Sequence, residues 1–233
     1  MKKISFLIII TLSVLTLSSC LKDNDEYPDL NYPAVSLFNF YPKSSGILYT
    51  VNGNILNQID PGYKGISLFY AIPGNKKLQV IDRYTNNALI DTTLTFTDGV
   101  VYSCMVYGTS QEPEFIRVPD VEIKDAGTKT GVRFFHLANG VEKVNFKVGD
   151  QDITGSSDRV RENPSTLEQT QIFRPATTGK TSVTVSDENG EVLGKIDDIE
   201  LKNTEHYNFM LIGTKGDAEY PLQLIVSNYY ITD

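Results

Sequence analysis

The chain has no tryptophan, only two cysteines, Cys20 and Cys104, and only two histidines, His136 and His206, in 233 residues. The lack of tryptophan removes the side chain most often used as a stacking platform for sugars. Two cysteines cannot supply the disulfide framework of a small secreted scaffold. No G-x-S-x-G, no H-E-x-x-H and no Cys–His arrangement is present, so the common hydrolytic machineries are missing and no enzyme is expected. Only a glycosidase escapes this argument, because its paired carboxylates meet in space rather than in sequence. Positive charge is also short: 21 Lys and Arg face 29 Asp and Glu, a net charge of −8. That balance speaks against nucleic acid or an anionic bilayer face as a partner.

The N-terminus carries an address. Lys2 and Lys3 precede an apolar run from Ile4 to Leu17, the layout of a secretory signal and too short for a spanning helix. The run ends in Leu17-Ser18-Ser19-Cys20, which resembles the lipobox of bacterial lipoproteins and implies cleavage after residue 19 and acylation of Cys20. Lys22, Asp23, Asp25 and Glu26 follow in a charged tether. This run resembles the export signal that places some lipoproteins on the outer face of the outer membrane, with the periplasmic face as the alternative. The expected membrane contact is therefore the N-terminal lipid. An acylated Cys20 leaves Cys104 without a disulfide partner, so it is read as a buried, inert thiol.

What the chain has in plenty is self-similarity. Ala34 to Asn52 (AVSLFNFYPKSSGILYTVN) matches Gly131 to Gly149 (GVRFFHLANGVEKVNFKVG) at a shift of 97 residues, with the matches at apolar positions. Later the shift becomes 105: Gly74 meets Gly179, Val80 meets Val185, and GVVYSCMVYGT ending at Thr109 meets TEHYNFMLIGT ending at Thr214. The second copy thus carries eight extra residues between Asp150 and Thr178. A period near 100 residues is the size of a small domain, so two domains in series are expected.

Within each copy the apolar segments are short, β-branched and aromatic, and bounded by Gly, Pro or Asn. Val144, Phe146 and Val148 alternate with Asn145 and Lys147, the pattern of a strand with one buried face. About seven strands are expected per copy. The fold class is all-β: two tandem Ig-like or transthyretin-like β-sandwich domains after a signal peptide and a short flexible tether. The boundaries are signal 1–19, tether 20–33, first repeat 34–120, linker 121–130 and second repeat 131–233.

The pattern V-R-F-F-H at Val132 to His136, F-K-V-G at Phe146 to Gly149, G-x-x-x-V-x-V at Gly179 to Val185 and H-Y-x-x-M-L-I-G at His206 to Gly213 resembles the family catalogued as domain of unknown function 4397. The resemblance implies secreted or lipid-anchored bacterial proteins, commonly with two β-sandwich copies, and brings no catalytic residues. It spans residues 34–228, with the second copy nearer the pattern than the first.

The candidate sites are few. The extra residues fall inside Gln151 to Thr170, polar and without alternation. A loop of that length is commonly functional or disordered, and Asp158, Arg159, Arg161 and Glu162 are its candidate contact residues. Excision of its polar middle, Ser156 to Gln169, is expected to leave folding nearly intact. His136 and His206 are weighed as a haem or metal pair, and the carboxylates at 150–152 and 197–200 as calcium turns. Neither has a ligand spacing, so no cofactor and no metal are expected. Asp91-Thr92-Thr93 resembles a bacterial O-glycosylation acceptor, which would place a glycan on Thr92. The expected function is a non-enzymatic binding or structural module of the cell envelope with a protein or glycan partner. Its alternatives are a haem- or metal-capturing lipoprotein and a carbohydrate-active hydrolase or accessory module.

Overall fold

A computed structural model describes residues 31–42, 46–57, 61–123 and 126–230. In chain order the strands of the first repeat are β1 (Ala34–Asn39), β2 (Ile47–Val51), β3 (Asn54–Ile55), β4 (Ile66–Tyr70), β5 (Gly74–Asp82), β6 (Ala88–Phe96), β7 (Val101–Gly108) and β8 (Pro113–Pro119). Those of the second are β9 (Lys129–His136), β10 (Lys143–Val148), β11 (Gln151–Asp152), β12 (Arg159–Val160), β13 (Arg174–Thr177), β14 (Gly179–Asp187), β15 (Val192–Leu201), β16 (Glu205–Ile212) and β17 (Gln223–Tyr230), with one short helix, α1 (Leu167–Thr170). The protein is all-β, and the long strands fall where alternation and turn residues place them. The two-residue pieces β3, β11 and β12 carry no periodicity that could announce them.

Both repeats have the same strand order. Sheet I is β3-β2-β5-β6 and sheet II is β4-β1-β7-β8; sheet III is β13-β9-β16-β17 and sheet IV is β11-β10-β14-β15, with β12 added to β10. In sheets II and III the first and sixth long strands of a repeat lie side by side and parallel, β1 with β7 and β9 with β16. Val35, Leu37, Ile47, Tyr49, Val80 and Cys104 form a core between sheets I and II. Val132, Phe134, Val144, Phe146, Val185 and Phe209 form the matching core between sheets III and IV.

A third core joins the repeats. Phe38, Phe40, Met105, Tyr107, Ile116 and Val118 of the first pack on Phe135, Leu137, Met210 and Ile212 of the second. The central strands β7, β9 and β16 of sheets II and III are therefore buried on both faces, and the described residues from Tyr32 onward form one compact unit of four stacked β layers. The docking is quasi-symmetric. Phe38 and Phe135, Phe40 and Leu137, Met105 and Met210, and Tyr107 and Ile212 are equivalent positions of the two copies, so each repeat offers the same face, as in an isologous dimer.

Polar contacts fix the register of this docking. Arg133 is 1% exposed and pairs with Asp120, itself 3% exposed. The same guanidinium donates to Asn208 Oδ1 (2.6 Å), the Pro119 carbonyl (3.0 Å) and the Gln171 carbonyl (3.1 Å), and lies over the rings of Phe135 and Phe173. Asn208 Nδ2 reaches Ser103 Oγ at 3.4 Å, and the Ser103 hydroxyl donates to Asp120 Oδ2 at 2.9 Å. At the other end, Tyr107 Oη donates to the Glu162 carbonyl (2.8 Å), Arg161 pairs with Glu114 (2.6 Å), and Lys64 Nζ donates to Gln223 Oε1 (3.1 Å). The last two contacts are the same contact made twice, since Lys64 and Arg161 are equivalent by the shift of 97, and Glu114 and Gln223 by strand register.

Candidate functional site

Cys20, Lys22, Asp23, Asp25 and Glu26 lie outside the described residues. Thr92 sits in β6 on the same face as Ile90, Leu94 and Phe96; it is half-buried and faces the sandwich, while Asp91 and Thr93 point to solvent. Cys104 lies in the core between sheets I and II, where burial pushes its thiol far up.

The two histidines do not converge. On the parallel strands β9 and β16, His206 is level with Gly131 and His136 with Leu211, five residues apart along the strands, or roughly 16 Å. They also face opposite ways. His136 shares the face of Val132 and Phe134, and its Nε2 donates to the Val141 carbonyl at 3.2 Å. Burial pushes it down to about 4, against that hydrogen bond and aided by Arg161 and Arg159. His206 shares the face of Met210. Its Nε2 accepts the Ile123 N–H (3.0 Å), and its ring meets Phe173 edge-on. Burial lowers its pKa as well. His206 thereby holds the linker, and Gly131 leaves it room: a Cβ there would come within 2.3 Å of the imidazole.

The polar segment from Gln151 to Thr170 is packed structure. Glu162 is buried; its carboxylate pairs with Arg159 (2.6 Å) and accepts from the Thr166 (2.5 Å) and Thr170 (2.9 Å) hydroxyls. Arg159 also binds Thr170, and Asp158 N–H donates to Asn145 Oδ1 (3.0 Å). Arg161 reaches Glu114 and lies over the Tyr107 ring. The candidate contact loop does make a contact, and that contact is with the first repeat. Polarity alone does not tell the two apart, because a buried charge network and a solvated loop have the same composition.

The opening lies elsewhere, and the repeat itself locates it. The flank of the first sandwich between edge strands β3 and β4 holds a cavity of about 570 Å³ lined by Leu37, Leu56, Pro61, Ile66 and Phe69, among others. Its counterpart in the second repeat, lined by the equivalent Phe134, Ile153 and Arg174 together with Arg159 and Thr170, is about 30 Å³. The extra residues and a larger aromatic ring have filled it. The edge of β2 is closed differently: Asn57 Oδ1 accepts the Tyr49 N–H (2.7 Å) and its Nδ2 donates to the Ile47 carbonyl (2.7 Å). In the second repeat backbone serves the same positions, Ser156 for Phe146 and β12 for Val144.

Strand β4 is the exposed wall of this opening. Ile66, Leu68, Tyr70 and the following Ile72 are all exposed, Leu68 at 77% and Tyr70 at 78%. At the position equivalent to Leu68, Phe173 is 4% exposed. The N–H of Asn39 donates to the Gly65 carbonyl and that of Ala71 to the Pro33 carbonyl, so odd-numbered residues turn their backbone to β1. The backbone groups of residues 66, 68, 70 and 72 therefore point to the open edge. In the second repeat the equivalent groups are taken: Gln151 Nε2 donates to the Pro175 carbonyl (3.4 Å) and Gln151 Oε1 accepts the Thr177 N–H (3.2 Å). Among the described residues no hydrogen bond reaches the Tyr70 carbonyl or the Ile72 N–H. Also among the described residues, no helix is long and apolar enough to cross a membrane, and no three His, Cys, Asp or Glu side chains gather as a metal site.

No curated protein matches the sequence. Among solved structures, a carbohydrate-binding module (family CBM26) of Eubacterium rectale Amy13K in complex with maltoheptaose aligns at 13% identity over 86% of this chain and 98% of that one, with a TM-score of 0.27. A candidate cell adhesion protein from Bacteroides ovatus aligns at 12% identity over 87% of this chain and 99% of that one, with a TM-score of 0.24. At such scores neither likeness carries an argument about ligand or role. Residues 33–147, which are the first repeat with β9 and nearly all of β10, match the model of the family described as Domain of unknown function (DUF4397).

Proposed function

We propose that the protein is a lipid-anchored, non-enzymatic module of the cell envelope that holds a protein partner at the open flank of its first repeat. The observation that carries this reading is the difference between equivalent flanks of one chain, about 570 Å³ against about 30 Å³, at the place where an uncovered apolar edge strand stands. Natural edge strands are normally blunted by charge, proline or a covering segment. From Gly65 to Gly74 there is no charged residue, and the only proline, Pro73, comes after the strand. The lipobox-like Leu17–Cys20 run supports the anchor, and the acidic run behind it supports the outer face of the outer membrane.

One cellular experiment tests both parts. Cells producing the full chain with a photo-crosslinking phenylalanine analogue at Leu68 are irradiated and fractionated, with the analogue at the exposed turn residue Tyr84 as control. The expected result is a membrane-bound adduct from position 68 only, with the chain released to the soluble fraction by Cys20→Ser. No adduct at position 68, or equal adducts at both positions, refutes the flank as the working surface. A Cys20→Ser chain that stays in the membrane after a salt wash refutes the lipid anchor.

A further inference from the structure

The open flank shows what kind of group would cover it, because the second repeat covers its own. There the edge of β13 is capped by amide groups of Gln151, which imitate a neighbouring strand. The linker residues Val121 to Ile123 line a cavity with Phe173, the equivalent of Leu68, and the Ile123 N–H is bound to His206. Both covers are strand-like: backbone or amide groups on the edge and apolar side chains beside it. Among the described residues the first repeat has neither, so its flank calls for an extended segment with outward N–H and C=O groups and alternate apolar side chains.

Resting on the reading of that flank as the working surface, we propose that the segment is β4 of a second copy of this chain, paired antiparallel about a two-fold axis at Phe69. In that register Ile66 lies opposite Ile72 and Leu68 opposite Tyr70. Each of residues 66, 68, 70 and 72 then donates and accepts once across the axis, and sheets II of two copies become one continuous sheet. Charge favours this occupant. The chain carries a net charge of −8, so most faces of two copies repel each other. Residues 65–74 are uncharged, and two copies meet there with no like charges opposed. The pairing is also self-limiting, since a two-fold axis joins β4 to β4 and uses the outward edge of each, which leaves a closed dimer.

The test uses the full chain in its membrane. Residue 68 of each copy would be diagonal to residue 68 of the other, within the reach of a bis-maleimide spanning about 8 Å. A Leu68→Cys chain treated with that reagent is expected to give a product of twice the chain mass, whereas Thr93→Cys, exposed on β6, gives none. Adding Tyr70→Pro removes one outward N–H that the folded chain does not use, and is tolerated on an edge. It should cut the yield at least tenfold with the melting temperature held. A monomer only, an equal yield from Thr93→Cys, or an undiminished yield with Tyr70→Pro overturns the dimer. A position-68 photo-adduct with a different protein also overturns it while leaving the binding function in place. The absence of any adduct at position 68 removes both.

Discussion

Asp120→Ala tests whether the four layers are held in register by the buried pair. The substitution leaves Arg133, 1% exposed, with its contacts to Asn208 Oδ1 and the Pro119 and Gln171 carbonyls but without the Asp120 carboxylate. Removing one partner of a buried pair costs about 3–5 kcal/mol, a large share of the roughly 5–15 kcal/mol of a typical folded chain. Replacing both groups, Asp120→Ala with Arg133→Met, removes the stranded charge and leaves an apolar side chain beside Phe135 and Phe173. That double variant leaves Asn208 Oδ1 and the Pro119 and Gln171 carbonyls without the guanidinium, so it loses stability, but at least about 2 kcal/mol less than the sum of the two single variants. The titration of Asp120 agrees. Burial raises its carboxyl above the usual range although Arg133 and Ser103 pull it down. A raised folded value means that the contribution of the protonated form is present below the unfolded value and lost as pH rises through the folded one. With no tryptophan in the chain, unfolding in urea is followed by far-UV circular dichroism. A loss below about 1 kcal/mol for Asp120→Ala, or a double variant that loses the sum of the two singles, refutes the reasoning.

Two further expectations use one repeat as the control for the other. His136 titrates at about 4 in the fold against 6.5 free; a lowered folded value means that stability is lost as pH falls from 6.5 to 4, by about 3 kcal/mol. His136→Asn, which installs the residue of the first repeat, Asn39, should flatten the urea-midpoint profile over that range, and parallel profiles for the two chains would show that His136 is not the group. Gly131→Ala drives a Cβ into the His206 ring and should cost about 1–3 kcal/mol as overpacking. His206→Val added to it should restore most of the melting temperature, because the first repeat already places Ala34 beside Val101; equal melting temperatures for the single and double variants would contradict this.

The strands of sheets I and IV were legible because each has one wet face: Val144, Phe146 and Val148 alternate with polar residues, and they line the core. The docking of the repeats was written as well, in a different signal. VVYSCMVYG and HYNFMLIG are nearly continuous apolar runs rather than alternating ones, and their strands β7 and β16 are buried on both faces; such runs mark a strand covered twice. Two domains in series do not need that pattern, whereas four stacked layers do. The open flank was not legible. Ile66-Ser67-Leu68-Phe69-Tyr70 reads as an ordinary strand, and only topology shows that it is an edge with an uncovered side. The polar insertion drew attention instead, since no composition distinguishes a solvated Arg159 and Glu162 from a buried pair.

The asymmetry between the copies is where the chain departs from a simple duplicate. Each repeat docks by the same face, and the central pairs Met105 with Met210 and Ser103 with Asn208 keep the quasi-two-fold relation. Away from the centre the equivalents diverge: Ser36 stands where the second repeat has Arg133, Leu68 where it has Phe173, and Asn54 where it has Gln151. Every one of these second-repeat residues closes something, the guanidinium over the Phe173 ring, that ring beside the linker, and the glutamine across the β13 edge. Among the described residues their first-repeat counterparts make no such closing contact. Had the flank been left open merely by drift, polar or charged residues would be expected along β4, since an exposed apolar edge is a standing aggregation hazard. Four exposed large apolar side chains at alternate positions, with no charge among them, are what the pairing proposed at β4 requires.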